Sequence, residues 1–181
     1  MPHFISTVVI VAMLNIFLTP QTGLIGRFLG SQSVLDNADA IAPIYWISEV
    51  WQHVGWNSII YLAALAGVDT SLYEAAKIDG AGRLQLIRYV DIPTIMPTCA
   101  ILLIMNMGSV LNVGFEKVWL MQNAMNMPGS EVISTYTYKI GIQSFQFSYG
   151  TAIGLFNTVI NFAFLIIANW ISKRVSDTSI F

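Results

Sequence analysis

Charge is scarce in this chain. Its 181 residues carry eight Lys or Arg and ten Asp or Glu, against roughly 45 charged side chains in a soluble domain of this length. Four stretches have none: Met1–Gly26, Val50–Val68, Ile92–Phe115 and Ile140–Ser172. Together they fill over half of the sequence. A water-soluble monomer would need charges on its surface, so it is the class least compatible with this pattern. The 55% apolar content excludes disorder.

Other absences narrow the chemistry. Cys99 is the single cysteine, which removes an internal disulfide framework and any cysteine-based zinc site; inside an apolar run it acts as a small hydrophobe. His3 and His53 stand fifty positions apart, so no metal-ligand cluster is expected. The net charge of −2 leaves no basic footprint for nucleic acid. No Gly-x-x-x-x-Gly-Lys-Ser/Thr loop is present to cradle phosphates. Neither a bound cofactor nor ATP chemistry is therefore expected of this chain. No basic n-region precedes the first apolar run, so a cleavable signal peptide is not expected either.

What is present is hydrophobic length. A bilayer core of ~30 Å needs about 20 apolar residues in helical form. Pro2–Leu18, Ile41–Val68, Pro93–Gly114 and Thr151–Ile171 meet or approach that requirement. The expected fold is an all-α polytopic membrane bundle of about four spans, forming one domain over residues 1–181. Thr19–Gly23 reads as a turn. The segment Glu116–Ser148 is neither plainly apolar nor plainly polar. Met127-Pro128-Gly129-Ser130 breaks it, and a helical stretch over Val132–Gln143 can follow, as a re-entrant helix or within a loop. Four spans place Lys77, Arg83 and Arg88 on the same side as Lys173 and Arg174. Arg27, Lys117 and Lys139 fall on the other. That bias predicts a cytoplasmic loop over 69–93 and a cytoplasmic C-terminus.

The charged loop has its own grammar. Ser71 followed by Glu74 fits a capping box that would start a helix at Leu72. Gly80 can stop that helix by taking the left-handed conformation. A helix of about two turns is unstable alone in water, so it must dock onto something. A second helical stretch follows Gly82, and Pro93 either sits in the first turn of the next span or kinks a continuous helix.

The pattern Glu74-Ala75-Ala76, three residues, Gly80, nine residues, then Val90-Asp91-Ile92-Pro93 resembles the EAA loop of bacterial ABC-importer permeases. The strings Tyr73–Gly82 and Trp56–Leu65 are similar to the carbohydrate-uptake, maltose-permease type. Gly154-Leu155-Phe156-Asn157 is similar to permeases for oligosaccharides and polysaccharide fragments. The resemblance implies that Tyr73, Glu74, Ala75, Ala76, Asp79 and Gly80 form a coupling helix seated in a cytoplasmic ABC ATPase dimer. It also implies a second homologous permease subunit, an extracytoplasmic sugar-binding protein and residence in the bacterial cell membrane. Glu74 can cap its own helix and still offer a carboxylate to the partner. The resembled family has about six spans, with this loop between the fourth and fifth. Counting back from Asp69 leaves two, so the chain is expected to be the C-terminal part of a longer permease. A transport-inactive fragment that still docks the ATPase is the alternative.

Polar groups inside the spans are the remaining candidates. Glu49, His53 and Trp56-Asn57 recur at helical spacing and share one face. Asn157 and Asn161 form a second pair one turn apart, and Asn106 stands in the third span. These residues can line a sugar path, or the asparagines can serve as hydrogen bonds between helices. Glu49-x-x-x-His53 lacks the second histidine of His-Glu-x-x-His, which argues against a hydrolase.

Overall fold

The computed structural model describes residues 2–20, 23–29 and 33–176, and these are mainly helical with no strand among them. Seven helices organise the described chain. They are α1 (Thr7–Leu18), α2 (Ala38–Ala66), α3 (Thr70–Ile78), α4 (Arg83–Met107), α5 (Phe115–Met121), α6 (Ile133–Tyr138) and α7 (Phe147–Ser176). Single helical turns at Gly26–Leu29 and Met127–Ser130 lie between them. The turn expected over Thr19–Gly23 is closed by the Gly23 N–H on the Thr19 carbonyl at 2.8 Å; Gln21 and Thr22 lie outside the described residues.

Among the described residues, α4 and α7 are each long and apolar enough to cross a membrane, and α2 with α3 makes a third if that bent pair is one span. The first apolar stretch is shorter as a helix: α1 has 12 residues, about 18 Å of rise. Side chains such as Val159 and Phe162 on α7 are more than 60% exposed, as a lipid-facing surface requires.

The chain forms two compact units, and it passes from one to the other within α2, between α4 and α5, and within α7. The first comprises Met1–Trp56 and Leu111–Asn157. Its core gathers Val11 and Leu18 of α1, Leu35, Ile41 of α2 and Met121 of α5. A polar staple completes it. Asn126 is fully buried and donates to the carbonyls of Leu35 at 2.7 Å and Met121 at 2.9 Å. Its own oxygen accepts from the Asn123 N–H and the Ser130 hydroxyl. Gly129 is needed beside it, because a Cβ there would lie 1.9 Å from the Ala38 carbonyl oxygen.

The second unit comprises Asn57–Val110 and Thr158–Phe181. After Ala66 the chain bends by 68° into α3. The cap of α3 differs from the expectation of a Ser71–Glu74 box starting at Leu72. Asp69 takes the cap position, its carboxylate accepting from the Ser71 N–H at 2.9 Å, and the helix begins at Thr70. An acceptor two residues before an exposed N–H is the better-placed cap, and Ser71 is thereby drawn into the first turn. Pro93 does not begin a new helix. It lies within α4, directly after a π-helical turn at Ile87–Asp91. Proline removes one N–H and crowds the carbonyl four residues earlier; the wider turn gives that carbonyl room. The Thr94 hydroxyl bonds back to the Val90 carbonyl at 2.7 Å.

Candidate functional site

Helix α3 presents most of its length to the outside. Leu72, Glu74, Ala75, Lys77, Ile78, Asp79 and Gly80 are exposed, whereas Tyr73 and Ala76, three apart on one face, are half-buried. Ile78 is 86% exposed, an apolar side chain left uncovered at the tip of a charged helix. The helix ends in a full Schellman motif, with the Ala81 N–H on the Ala76 carbonyl at 2.9 Å and the Gly80 N–H on the Lys77 carbonyl at 3.0 Å. Gly80 has φ of +78°, and a Cβ there would meet nothing within 4 Å. Conformation, and no shortage of space, therefore requires glycine at this position.

Two ionisable groups of α3 and its cap are perturbed. Hydrogen bonds from Ser71, first the backbone N–H and then the hydroxyl, hold the Asp69 carboxyl below its ordinary range. The Tyr73 phenol donates to Asp91 Oδ1 at 2.5 Å, and that bond raises its pKa, with desolvation and the Asp91 charge adding to it.

The first unit assembles a second candidate site. Glu49 and His53, one turn apart on α2, approach to 3.2 Å through Glu49 Oε1 and His53 Nε2. Lys117 of α5 reaches the other carboxylate oxygen, Oε2, at 2.8 Å and Gln52 Oε1 at 3.2 Å. The Lys117 side chain is only 4% exposed, against 38% for Glu49, and the Tyr45 ring centroid stands 5.7 Å from its ammonium. His3 places its Nδ1 at 3.1 Å from the Nδ1 of His53 and stacks on Trp56 with ring centroids 4.6 Å apart. With neutral rings, Nε2–H of His53 donates to Glu49, and His53 Nδ1 then accepts from His3. The result is an unbroken polar row from His3 through His53, Glu49 and Lys117 to Gln52, walled by Trp56 and Tyr45. No group of three metal-ligating side chains occurs among the described residues.

The other candidates divide. Asn157 donates to Asn112 Oδ1 at 3.0 Å and lines an open cleft of about 530 Å³ in the first unit with Phe115, Thr137, Tyr138 and Thr151. Asn57, Asn106 and Asn161 belong to the second unit. Asn57 is exposed and Asn161 buried, and Asn106 bonds back to the Leu102 carbonyl at 2.8 Å. Sequence reasoning missed His3, Gln52 and Lys117 in the first unit and Asp91 in the second. A single cation before the apolar run Val118–Met121 was the available signal for Lys117. Nothing in the spacing foretells a partner 68 positions earlier.

The profile of the family described as "Binding-protein-dependent transport system inner membrane component" matches residues 1–177. The chain is 40% identical to protein LplB of Bacillus subtilis (strain 168) and 39% identical to the polygalacturonan/rhamnogalacturonan transport system permease protein YteP of the same strain. Each match covers 99% of this chain and 58% of the relative, so the chain spans somewhat over half the length of these curated relatives. Among solved structures, a bacterial ABC transporter involved in import of the acidic polysaccharide alginate superimposes with a TM-score of 0.92 at 37% identity, over 97% of this chain and 63% of that one. A bacterial alginate ABC transporter in complex with an alginate pentasaccharide-bound periplasmic protein gives 0.94 at 37% identity, over 99% and 64%.

Proposed function

The chain belongs to the family of inner membrane components of binding-protein-dependent transport systems, and from that premise we propose that it is a permease subunit of an ATP-driven oligosaccharide importer. The observation that carries this reading is α3: a capped, exposed helix that ends in a left-handed glycine and follows a 68° bend after α2. Such a helix is built to seat in another protein. Glu74, Ala75, Asp79 and Gly80 lie outward, the alanines permit close backbone approach, and Ile78 offers apolar area to bury. Their seat is a separate cytoplasmic ABC ATPase dimer, which places the loop and the C-terminus in the cytoplasm. Lys173 and Arg174 at the end of α7, the latter stacked over Trp170 at 3.9 Å, suit the cytoplasmic interface.

A second homologous permease completes the pore, and an extracytoplasmic binding protein delivers the sugar. This chain binds no cofactor. Within the first unit, Glu49, His53 and Trp56 form a polar and aromatic part of the sugar path, and Asn157 contributes from the cleft it lines with Phe115 and Tyr138. Fragments of acidic polysaccharides are the first substrates to test, because YteP and the alginate transporters are named for such polymers. ATP binding by the partner shifts the spans between outward-open and inward-open states to the extent that it favours one of them.

The test is uptake of galacturonan and alginate oligosaccharides into proteoliposomes holding the ATPase, both permeases and the binding protein. Uptake should require ATP and vanish when this chain is omitted. A correctly assembled complex that takes up no saccharide from a broad panel refutes the reading.

A further inference from the structure

Helix α3 must pass its movement to a membrane span, and the backbone between them is poorly suited to do so. Asp79, Gly80, Ala81 and Gly82 separate α3 from α4, and Gly80 sits in the left-handed region with open space around it. A linker with two glycines transmits force weakly, because each can change φ and ψ at little cost. One side-chain contact bypasses it. Tyr73 lies in the second turn of α3, on the half-buried face away from Glu74 and Ala75. Its hydroxyl donates to Asp91 Oδ1. Asp91 closes the π-helical turn Ile87–Asp91 that precedes the apolar part of α4.

Resting on the transport reading above, we propose that the Tyr73–Asp91 hydrogen bond is the link through which α3 drives α4, with the π-helical turn as the compliant joint. Tyr73 is a positioning residue that faces inward, so its role differs from that of the outward Glu74 and Ala75, which meet the ATPase. Three features support the link. Its acceptor is a carboxylate, which makes it stronger than a neutral hydrogen bond. It spans eighteen positions and so ties the helix to the span directly across the glycine linker. It also ends on a π turn, where one surplus backbone position lets a helix flex and where functional sites often occur.

The single cysteine is a native reporter. Cys99 is half-buried on α4, eight positions beyond Asp91, so its reactivity follows movement of that span. The experiment uses the full importer complex in nanodiscs and measures the alkylation rate of Cys99 on this chain by N-ethylmaleimide, with and without ATP plus vanadate. ATP should change the wild-type rate. In Tyr73→Phe and in Asp91→Leu, neither of which can form the bond, that ATP-dependent change should shrink by about tenfold, as expected when a hydrogen bond to a charged group is lost. ATPase co-purification should stay at the wild-type level in both. The double variant should be no worse than either single one, because the two residues act as one unit.

Undiminished ATP response in Tyr73→Phe overturns the link, and so does a wild-type Cys99 rate indifferent to ATP. Reduced ATPase retention in Tyr73→Phe overturns it as well, by making Tyr73 a docking contact. Saccharide uptake by the same wild-type complex is scored separately. Its absence counts against the transport reading and the link together, whereas normal uptake with an unaffected Tyr73→Phe variant refutes the link alone.

Discussion

Removing Glu49 should destabilise this protein more than removing the lysine it binds. Lys117 is almost wholly buried, and its ammonium has one charged partner, Glu49, and one neutral acceptor, Gln52. Glu49 is in a different position: over a third of its side chain reaches the exterior, and His53 also bonds it. Glu49→Gln strands a buried cation, for which breaking a buried pair costs about 3–5 kcal/mol. The exposure of the carboxylate lowers that figure to roughly 2–3 kcal/mol, because water already screens part of the pair. Lys117→Met leaves a carboxylate that water and His53 can serve, and should cost only about 1 kcal/mol. The double variant should match Lys117→Met, since no charge is then stranded.

The assay is thermal challenge of the purified complex followed by size-exclusion recovery of this chain. At about 2–4 °C per kcal/mol for a chain of this size, Glu49→Gln should lower the midpoint by roughly 4–12 °C and Lys117→Met by roughly 2–4 °C. Equal effects, a reversed order, or a double variant worse than Glu49→Gln would show that the lysine is not dependent on the carboxylate. Such a result would remove the physical basis for treating the row from His3 to Gln52 as one connected network.

Other outcomes follow from α3 and its surroundings. Gly80→Ala should weaken the end of α3 by about 1–2 kcal/mol through backbone strain alone, and Gly80→Asn by less; protection of the Ala81 amide from hydrogen exchange reads the difference. Glu74→Lys should reduce ATPase co-purification without altering the helix, and full retention would mean that Glu74 makes no contact there. The folded-state pKa of Asp69 is depressed by Ser71, so its capping contribution is complete above the unfolded aspartate value and disappears as pH falls through the lower folded one. Exchange protection of the Ser71 amide should fall over that acidic window in the wild type and stay flat in Asp69→Asn. Gly129→Ala forces the chain off the Ala38 carbonyl and should cost about 1–3 kcal/mol of thermal stability by overpacking.

The helical fold and the glycine stop of α3 were legible because both follow from local rules. Charge-free runs of sufficient length specify apolar helices, and Gly80 marks its own stop through φ of +78°. Where the sequence misled, two local rules competed and the geometry of a neighbour decided. Asp69 displaced the Ser71–Glu74 box because it stands two positions further out along the same backbone. Pro93 had two readings in the sequence, and it lies inside the continuous helix α4, just beyond a π turn. The polar row was illegible for a different reason. His3, His53 and Lys117 are brought together by packing of α1, α2 and α5 around Val11, Ile41 and Met121, and no residue in that core carries a signal of what lies beside it. The segment Glu116–Ser148 read as neither plainly apolar nor plainly polar, and the order of its first part depends on Asn126, a buried polar residue that satisfies four hydrogen bonds. Hydropathy scores such a residue as surface, although in this setting it holds the end of α5, the helix that carries Lys117 to Glu49. Asn126→Leu should therefore release the network even though it adds apolar volume. A variant that kept the thermal midpoint and the Glu49–Lys117 coupling would break this chain of reasoning at its first step.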